Sequence, residues 1–305
     1  MRPIQTVGII GLGALGAMYA DLFTQALGRE RVLVLADRGR TERYRREGTL
    51  CNGRLRDFRY VDAGELAEPV DLLLFAVKFG GLEGAVETCR HLVGPDTVVI
   101  SVLNGISSEE ILGAAYGPEK VVWCVAQKMS AKKEGNAVTY GPSGELALGV
   151  PAGMDDAPLR RLTAFFDRIG FAYSLPADIR VHQWSKLLCN TGCNQAAMVF
   201  QCDYSLLHRP GRARDTMIGA MREVAAVANA EGVPLSERDV TEWVGIIDAL
   251  PDDGEPSMRQ DSKQHRKSEV ELFAGTIRRL AKKHGIPVPV NDWLYDQVQQ
   301  MEAAY

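Results

Sequence analysis

An α/β architecture, with an N-terminal Rossmann-type doubly wound parallel sheet and a C-terminal all-α domain, is predicted by three observations. Short apolar runs alternate with longer amphipathic stretches up to about residue 126. A glycine-rich turn separates the first apolar run from the first amphipathic stretch. After Pro176 the strand-like runs stop and only helical periodicity remains.

The apolar runs occupy 6–10, 31–36, 70–77, 97–103 and 120–126, and their alternation with helical stretches is the βαβ pattern of a parallel sheet. Stretch 137–150 alternates polar and apolar residues around Gly141, Pro142 and Gly144, which predicts a hairpin or an irregular extension of the sheet. A helix follows over 156–169. Pro176 interrupts the pattern between residues 174 and 178, so the domains are read as 1–175 and 176–305. Helices are expected over 179–200, 211–231, 236–250, 258–284 and 290–302. The chain shows no internal repeat and no low-complexity tract.

Composition narrows the function. A chain of 305 residues that is 46% hydrophobic and 24% charged can bury a sizeable core. Its formal net charge of -4 gives no global attraction to nucleic acid or to an anionic membrane, so no nucleic-acid or membrane partner is expected. Six cysteines show no C-x-x-C pair; reduced thiols and a cytoplasmic location are expected. Cys189 and Cys193 lie one helical turn apart, but no His or Cys follows at a zinc-site spacing. Buried structural thiols are therefore preferred over a metal, and no metal is expected. The apolar stretch 7–20 superficially resembles a signal peptide, yet its glycines at 8, 11, 13 and 16 are better explained by a nucleotide loop.

That loop, Gly11-Leu12-Gly13-Ala14-Leu15-Gly16, places G-x-G-x-x-G after a strand and at the opening of a helix. Gly11 permits a tight turn, Gly13 lets backbone approach a pyrophosphate, and Gly16 lets the helix pack closely, while the helix N-terminus attracts the anion. After the second strand two signals conflict. Asp37 could accept from a ribose 2′-hydroxyl, whereas Arg38 and Arg40 could clamp a 2′-phosphate; Arg38 at the strand terminus favours phosphate and thus NADP(H). Arg43, Arg45 and Arg46 read as a solvated helical face.

In the helical half, Lys186, Asn190 and Asn194 recur at i, i+4 and i+8 and share one helix face. Leu187, Leu188, Ala196, Ala197, Met198 and Val199 make that helix apolar over much of its circumference, so these polar heads need partners, which a ligand-filled cleft would supply. Ser257 and Gln260 fit a capping box. Glu269 aligns at helical spacing with Phe273, Thr276 or Ile277, and Leu280 on an apolar stripe, which leaves two readings, a core ion pair or a functional carboxylate.

Taken in order, the glycine loop, Ala76-Val77-Lys78, Leu103-Asn104-Gly105, Trp184-Ser185-Lys186-Leu187 with Asn190 and Asn194, Ser257 with Glu269, and the ending His284-Gly285-Ile286-Pro287-Val288-Pro289 resemble the ketopantoate reductases. The resemblance implies a Rossmann domain, an all-α domain and a cleft between them. It implies NADPH-dependent reduction of ketopantoate to pantoate on the route to coenzyme A, with a small 2-oxo acid as substrate and a homodimer as assembly. It makes Lys186 the general acid, with Glu269 supporting the polar network and the substrate hydroxyl. Asn190, Asn194 and Ser257 would hold the substrate, and Lys78 and Asn104 would border the nicotinamide end of the cofactor. Three positions depart from the pattern. Leu103 stands where Gln or His is common, and Tyr204 and Gly254 stand at two substrate-contact positions that are asparagine in well-known members. The last two motivate a second reading, another branched 2-oxo acid or an imine as substrate. A third reading, a non-catalytic NADPH-binding sensor, is opposed by the presence of the whole catalytic set.

Overall fold

The computed structural model describes residues 2–305 and divides the chain into two compact units, one ending at Ile179 and the other spanning Arg180–Tyr305. In the first unit β1 (Val7–Ile10) leads through α1 (Ala14–Leu27) to β2 (Val32–Ala36) and α2 (Arg38–Glu47). Three short strands follow, β3 (Thr49–Cys51), β4 (Arg54–Arg56) and β5 (Arg59–Asp62), and then β6 (Leu72–Phe75), α3 (Leu82–Cys89), β7 (Val98–Ser101), α4 (Ser108–Tyr116) and β8 (Val121–Gln127). The hairpin of β9 (Ala131–Glu134) and β10 (Ala137–Tyr140) precedes β11 (Glu145–Gly149), α5 (Ala157–Ile169) and β12 (Tyr173–Ser174).

The main sheet has the order β12-β11-β8-β7-β6-β1-β2-β5, parallel throughout except where β11 runs against β8. Chain order reverses at β1, which lies between β2 and β6, so the turn after β1 opens at the point where an open α/β sheet offers a ligand crevice. Both faces are covered. Val7 and Ile9 pack with Tyr19, Phe23, Phe165 and Phe166 on one side, while Ile10, Leu73 and Phe75 pack with Leu82 and Leu112 on the other. Two-sided burial is why these strands read as continuous apolar runs.

Stretch 137–150 does not behave as one unit. β10 joins a separate four-stranded sheet of order β4-β3-β10-β9, whereas β11 belongs to the main sheet. A buried carboxylate ties this second sheet to α1: Asp21, 1% exposed, accepts from the Tyr140 hydroxyl at 2.6 Å, from Arg56 Nε at 3.0 Å and from Gln25 Nε2 at 2.7 Å.

In the second unit every regular element of the described residues is helical: α6 (Ile179–Val199, continuing from the first unit's last residue), α7 (Tyr204–His208), α8 (Arg212–Ala230), α9 (Glu237–Asp248), α10 (Ser257–Lys263), α11 (Thr276–His284) and α12 (Pro289–Glu302). Their core gathers Leu187, Leu188, Met198, Leu207, Met217, Met221, Phe273, Ile277 and Leu294, all fully buried. Gly192 lets α6 and α8 approach closely, because a Cβ there would stand 2.7 Å from the Met217 carbonyl oxygen.

The single helix expected over 258–284 is broken. After α10 the chain turns at His265 (φ 48°), and the Arg266 amide donates back to the Asp261 carbonyl at 3.0 Å while the Arg266 guanidinium pairs with the Asp261 carboxylate at 2.7 Å. The Ser268 amide then bonds the Glu302 carboxylate at 2.7 Å, and the chain re-enters helical geometry through one π-helical turn, Glu271–Gly275. Long-range bonds to α12 outweigh the local helical periodicity here.

Candidate active site

The glycine loop is shaped by contacts that no side chain could enter. Gly11 has φ +99°, and a Cβ on it would lie 2.6 Å from the Ala76 carbonyl that follows β6. A Cβ on Gly16 would lie 1.8 Å from the Gly11 carbonyl oxygen, so α1 packs against its own entry turn as well as against the sheet edge at Ala76. Gly13 differs: the nearest atom to a Cβ there is the Ala76 oxygen at an ordinary 3.8 Å. Nothing in the fold forbids a side chain at 13. Gly13 is exposed and caps α1 without a side-chain bond, leaving backbone N–H groups of the first turn, at Ala14 and Leu15, to meet an anion. Leu12 is buried, and only its backbone lines the turn. The cradle therefore fits the diphosphate of a dinucleotide.

Three further expected cofactor residues lie at the same edge. Arg38 opens α2 directly after β2, Lys78 is exposed in the turn after β6, and Asn104 is half-buried after β7. The strand ends are in step, since the Ala76 amide bonds the Ile10 carbonyl at 2.8 Å and the Val102 amide bonds the Phe75 carbonyl at 2.9 Å. Asp37 caps α2, accepting from the Arg40 amide at 2.8 Å, a sufficient structural reason for this acid. Arg38 is 71% exposed and holds Asp62 at 3.3 Å and Glu65 at 3.0 Å. Lys133, which the sequence reading passed over, reaches from β9 to the Leu12 carbonyl of the glycine turn. Burial, then Arg43 nearby, lowers its pKa. The sequence carries no signal for it: Lys132, Lys133 and Glu134 stand side by side, and only the fold turns Lys133 inward.

In the second unit α6 carries Lys186 and Asn190 half-buried and Asn194 at 6% exposure, while Leu187 and Leu188 are fully buried. Asn194 is the hub. Its Oδ1 accepts from the Ser257 hydroxyl at 3.0 Å and from the Met258 amide at 3.1 Å, and its Nδ2 donates to Asn190 Oδ1 at 3.4 Å. Asn194 thus caps α10 from another helix. The capping box expected from Ser257 and Gln260 is not formed: the Gln260 side chain donates through Nε2 to the Glu255 carbonyl at 2.9 Å, and the Ser257 hydroxyl turns to α6. Such a box does form elsewhere, between Ser236 and Asp239.

Glu269 does not sit on a helical stripe. It precedes the π-helical turn, half-buried, and its carbonyl accepts from the Leu272 and Phe273 amides at 2.9 and 3.1 Å, which positions it by backbone rather than by helix face. Burial pushes the Cys189 thiol up to about 12 against the opposing pull of Lys186, and it raises Cys193 as well. Burial thus disfavours the thiolate at both positions, and no group of three or more His, Cys, Asp or Glu that could hold a metal occurs among the described residues. No helix of the described residues is long and apolar enough to cross a membrane.

Comparison with known proteins follows this division. The model for the ketopantoate reductase PanE/ApbA family matches residues 7–153, and that for the ketopantoate reductase PanE/ApbA C terminal matches 178–302. A 2-dehydropantoate 2-reductase of Mycobacterium tuberculosis is 30% identical over 304 residues, covering 94% of this chain and 95% of its own. Among solved structures, D-mandelate dehydrogenase with NADH and anilino(oxo)acetate superposes with a TM-score of 0.86 at 24% identity, over 98% of this chain and 99% of the other. The dimeric ketopantoate reductase from Staphylococcus aureus gives 0.80 at 24% identity over the same shares. The chain belongs to the ketopantoate reductase PanE/ApbA family and is an NAD(P)-dependent oxidoreductase of it.

Proposed function

We propose that this protein reduces a small 2-oxo acid to the 2-hydroxy acid with NADPH, Lys186 acting as general acid. The observation that carries the reading is the face of α6, where a largely buried helix keeps Lys186 and Asn190 half-exposed and where Asn194 joins Asn190 to Ser257. NADPH supplies the hydride. Addition of hydride to the ketone carbon places negative charge on its oxygen, and the Lys186 ammonium stabilises that alkoxide and then gives it a proton, which solvent restores. Asn190 and the Ser257 hydroxyl orient the acid, while Glu269 supports the polar network around Lys186. The glycine turn, Lys78 and Asn104 hold the cofactor, and Arg38 favours the 2′-phosphate, with Asp37 occupied as a helix cap.

Ketopantoate, the substrate named for the mycobacterial relative, is the first 2-oxo acid to test, and its reduction would place the protein in pantothenate synthesis. A different 2-oxo acid is the second reading, favoured by the tyrosine and glycine at 204 and 254. A homodimer is the expected assembly. The deciding experiment follows NADPH oxidation by purified protein against a panel of 2-oxo acids that includes ketopantoate and phenylglyoxylate. Turnover of at least one supports the proposal, and NADPH binding without oxidation by any of them sinks it in favour of a sensor.

A further inference from the structure

Tyr204 and Gly254 meet in the second unit. The Tyr204 amide donates to the Gly254 carbonyl at 3.0 Å and the Ser205 amide to the Asp252 carbonyl at 3.0 Å, laying the start of α7 along the turn 251–254. A Cβ added to Gly254 would stand 2.8 and 2.9 Å from Cδ2 and Cε2 of the Tyr204 ring, closer than carbon atoms can pack. The ring is parallel to that of His208, 6° between planes and 6.3 Å between centres, which limits its freedom to retreat. A side chain at 254 would have to displace the Tyr204 ring, so the two departures from the family pattern pack as one unit.

Tyr204 also lies within electrostatic range of the face of α6 that bears Lys186, and its partner turn leads within three residues to Ser257, which bonds Asn194 of the same helix. Lys186, Cys189, Asn190 and Cys193 stand at i, i+3, i+4 and i+7, one side of the helix. Cys189 feels the charge of Lys186, and the Tyr204 hydroxyl, pushed up by burial, has Cys193 and Cys189 as its electrostatic neighbours. Both backbone polar groups of Gly254 are already engaged, the carbonyl by Tyr204 and the amide by the Pro251 carbonyl at 3.0 Å.

We infer that the Tyr204–Gly254 pair determines substrate specificity, and that the 2-oxo acid this protein prefers carries an apolar side chain without a hydroxyl. The inference rests on the reading of Lys186, Asn190 and Ser257 as the substrate site. With the Tyr204 ring packed over the Cα of Gly254, this wall presents aromatic carbon to an alkyl or aryl group and no side-chain amide to a hydroxyl, which would lose its bonds to water on entering. A wall of this kind discriminates by roughly 10- to 100-fold, whereas a site built to bond a hydroxyl rejects an analogue lacking it far more strongly.

Ketopantoate and 3,3-dimethyl-2-oxobutanoate differ by a single hydroxyl and make the matched pair for the test. The wild-type protein should show kcat/KM at least about 10-fold higher for the hydroxyl-free acid. Tyr204→Phe should keep that preference, and the double variant Tyr204→Asn/Gly254→Asn should reverse it. Gly254→Asn alone should lose more activity than the double variant, because the ring then meets the new side chain. NADPH titration of each variant shows whether the first unit is intact, and circular dichroism shows whether the helices are. A wild-type preference for ketopantoate overturns the inference while leaving the reductase reading standing, as does a ratio unchanged in a folded double variant. Failure to oxidise NADPH with any 2-oxo acid overturns both.

Discussion

The glycine turn of the first unit and the Lys186 face of the second are built in opposite ways. At 11 and 16 the first region works by the absence of side chains: the nearest backbone atoms would lie 2.6 and 1.8 Å from an added Cβ, so shape alone fixes those residues. The second works by side chains whose identity the backbone does not demand. Lys186 and Asn190 stand at ordinary helical positions of α6, where backbone geometry singles out neither lysine nor asparagine. Damage to the first region's scaffold should therefore appear as lost stability and cofactor binding together, and damage to the second as lost turnover in an intact protein.

The largest effect expected on this contrast is in the scaffold under α1. Asp21→Ala removes a buried carboxylate and strands Arg56 and Tyr140, a change that costs about 3–5 kcal/mol when one partner of a buried pair is deleted. Urea unfolding of the variant measures it, and wild-type stability would show that α1 and the second sheet are held together by other means. Next comes Lys186→Ala. Turnover should fall about 10²-fold or more, with NADPH affinity and unfolding midpoint unchanged, since the lost interaction is strongest with the developing alkoxide. Turnover near wild type at normal NADPH affinity would return Lys186 to a structural role. Glu269→Ala should give a smaller fall in kcat and a higher substrate KM, with the fold kept. If the variant unfolds while its residual folded fraction is fully active, the carboxylate belongs to a core ion pair instead.

The same contrast governs what could be read from the sequence. The glycine turn was legible because two close backbone contacts, at 11 and 16, and the approach of an anion at 13 leave one residue type at fixed spacing. The parallel strands were legible because burial on both faces makes them continuously apolar. The second sheet was not, since Arg54, Arg56, Lys132 and Lys133 mask short strands whose polar side chains face Asp21, the glycine turn or solvent. In the helical half the stripe of Lys186, Asn190 and Asn194 could be seen, but its partner Ser257 lies 63 residues away and looked like a local cap. The break at 264–270 depends on Glu302, and the fit of Tyr204 to Gly254 joins residues far apart in sequence; periodicity carries neither.

The smallest and most selective effect belongs to Arg38, where the two modes of construction meet, a side chain placed by a strand end. Its guanidinium is exposed and already pairs with Asp62 and Glu65, so a 2′-phosphate must share it with two carboxylates. Asp62 also accepts from the Gly64 amide at 3.0 Å, which holds this carboxylate in place whether or not a phosphate arrives. The planar guanidinium can bond a phosphate with an N–H it does not spend on Asp62 or Glu65, and its contribution is diluted by that competition and by solvent. Arg38→Ala should therefore raise the NADPH KM by about 10-fold and the NADH KM little, leaving kcat with either cofactor near wild type. Asp62→Asn should move the ratio the other way by freeing the arginine. Steady-state kinetics with both cofactors decides it: equal changes for NADPH and NADH in Arg38→Ala would remove Arg38 from phosphate recognition and leave it as a surface ion pair that joins α2 to Asp62 and Glu65.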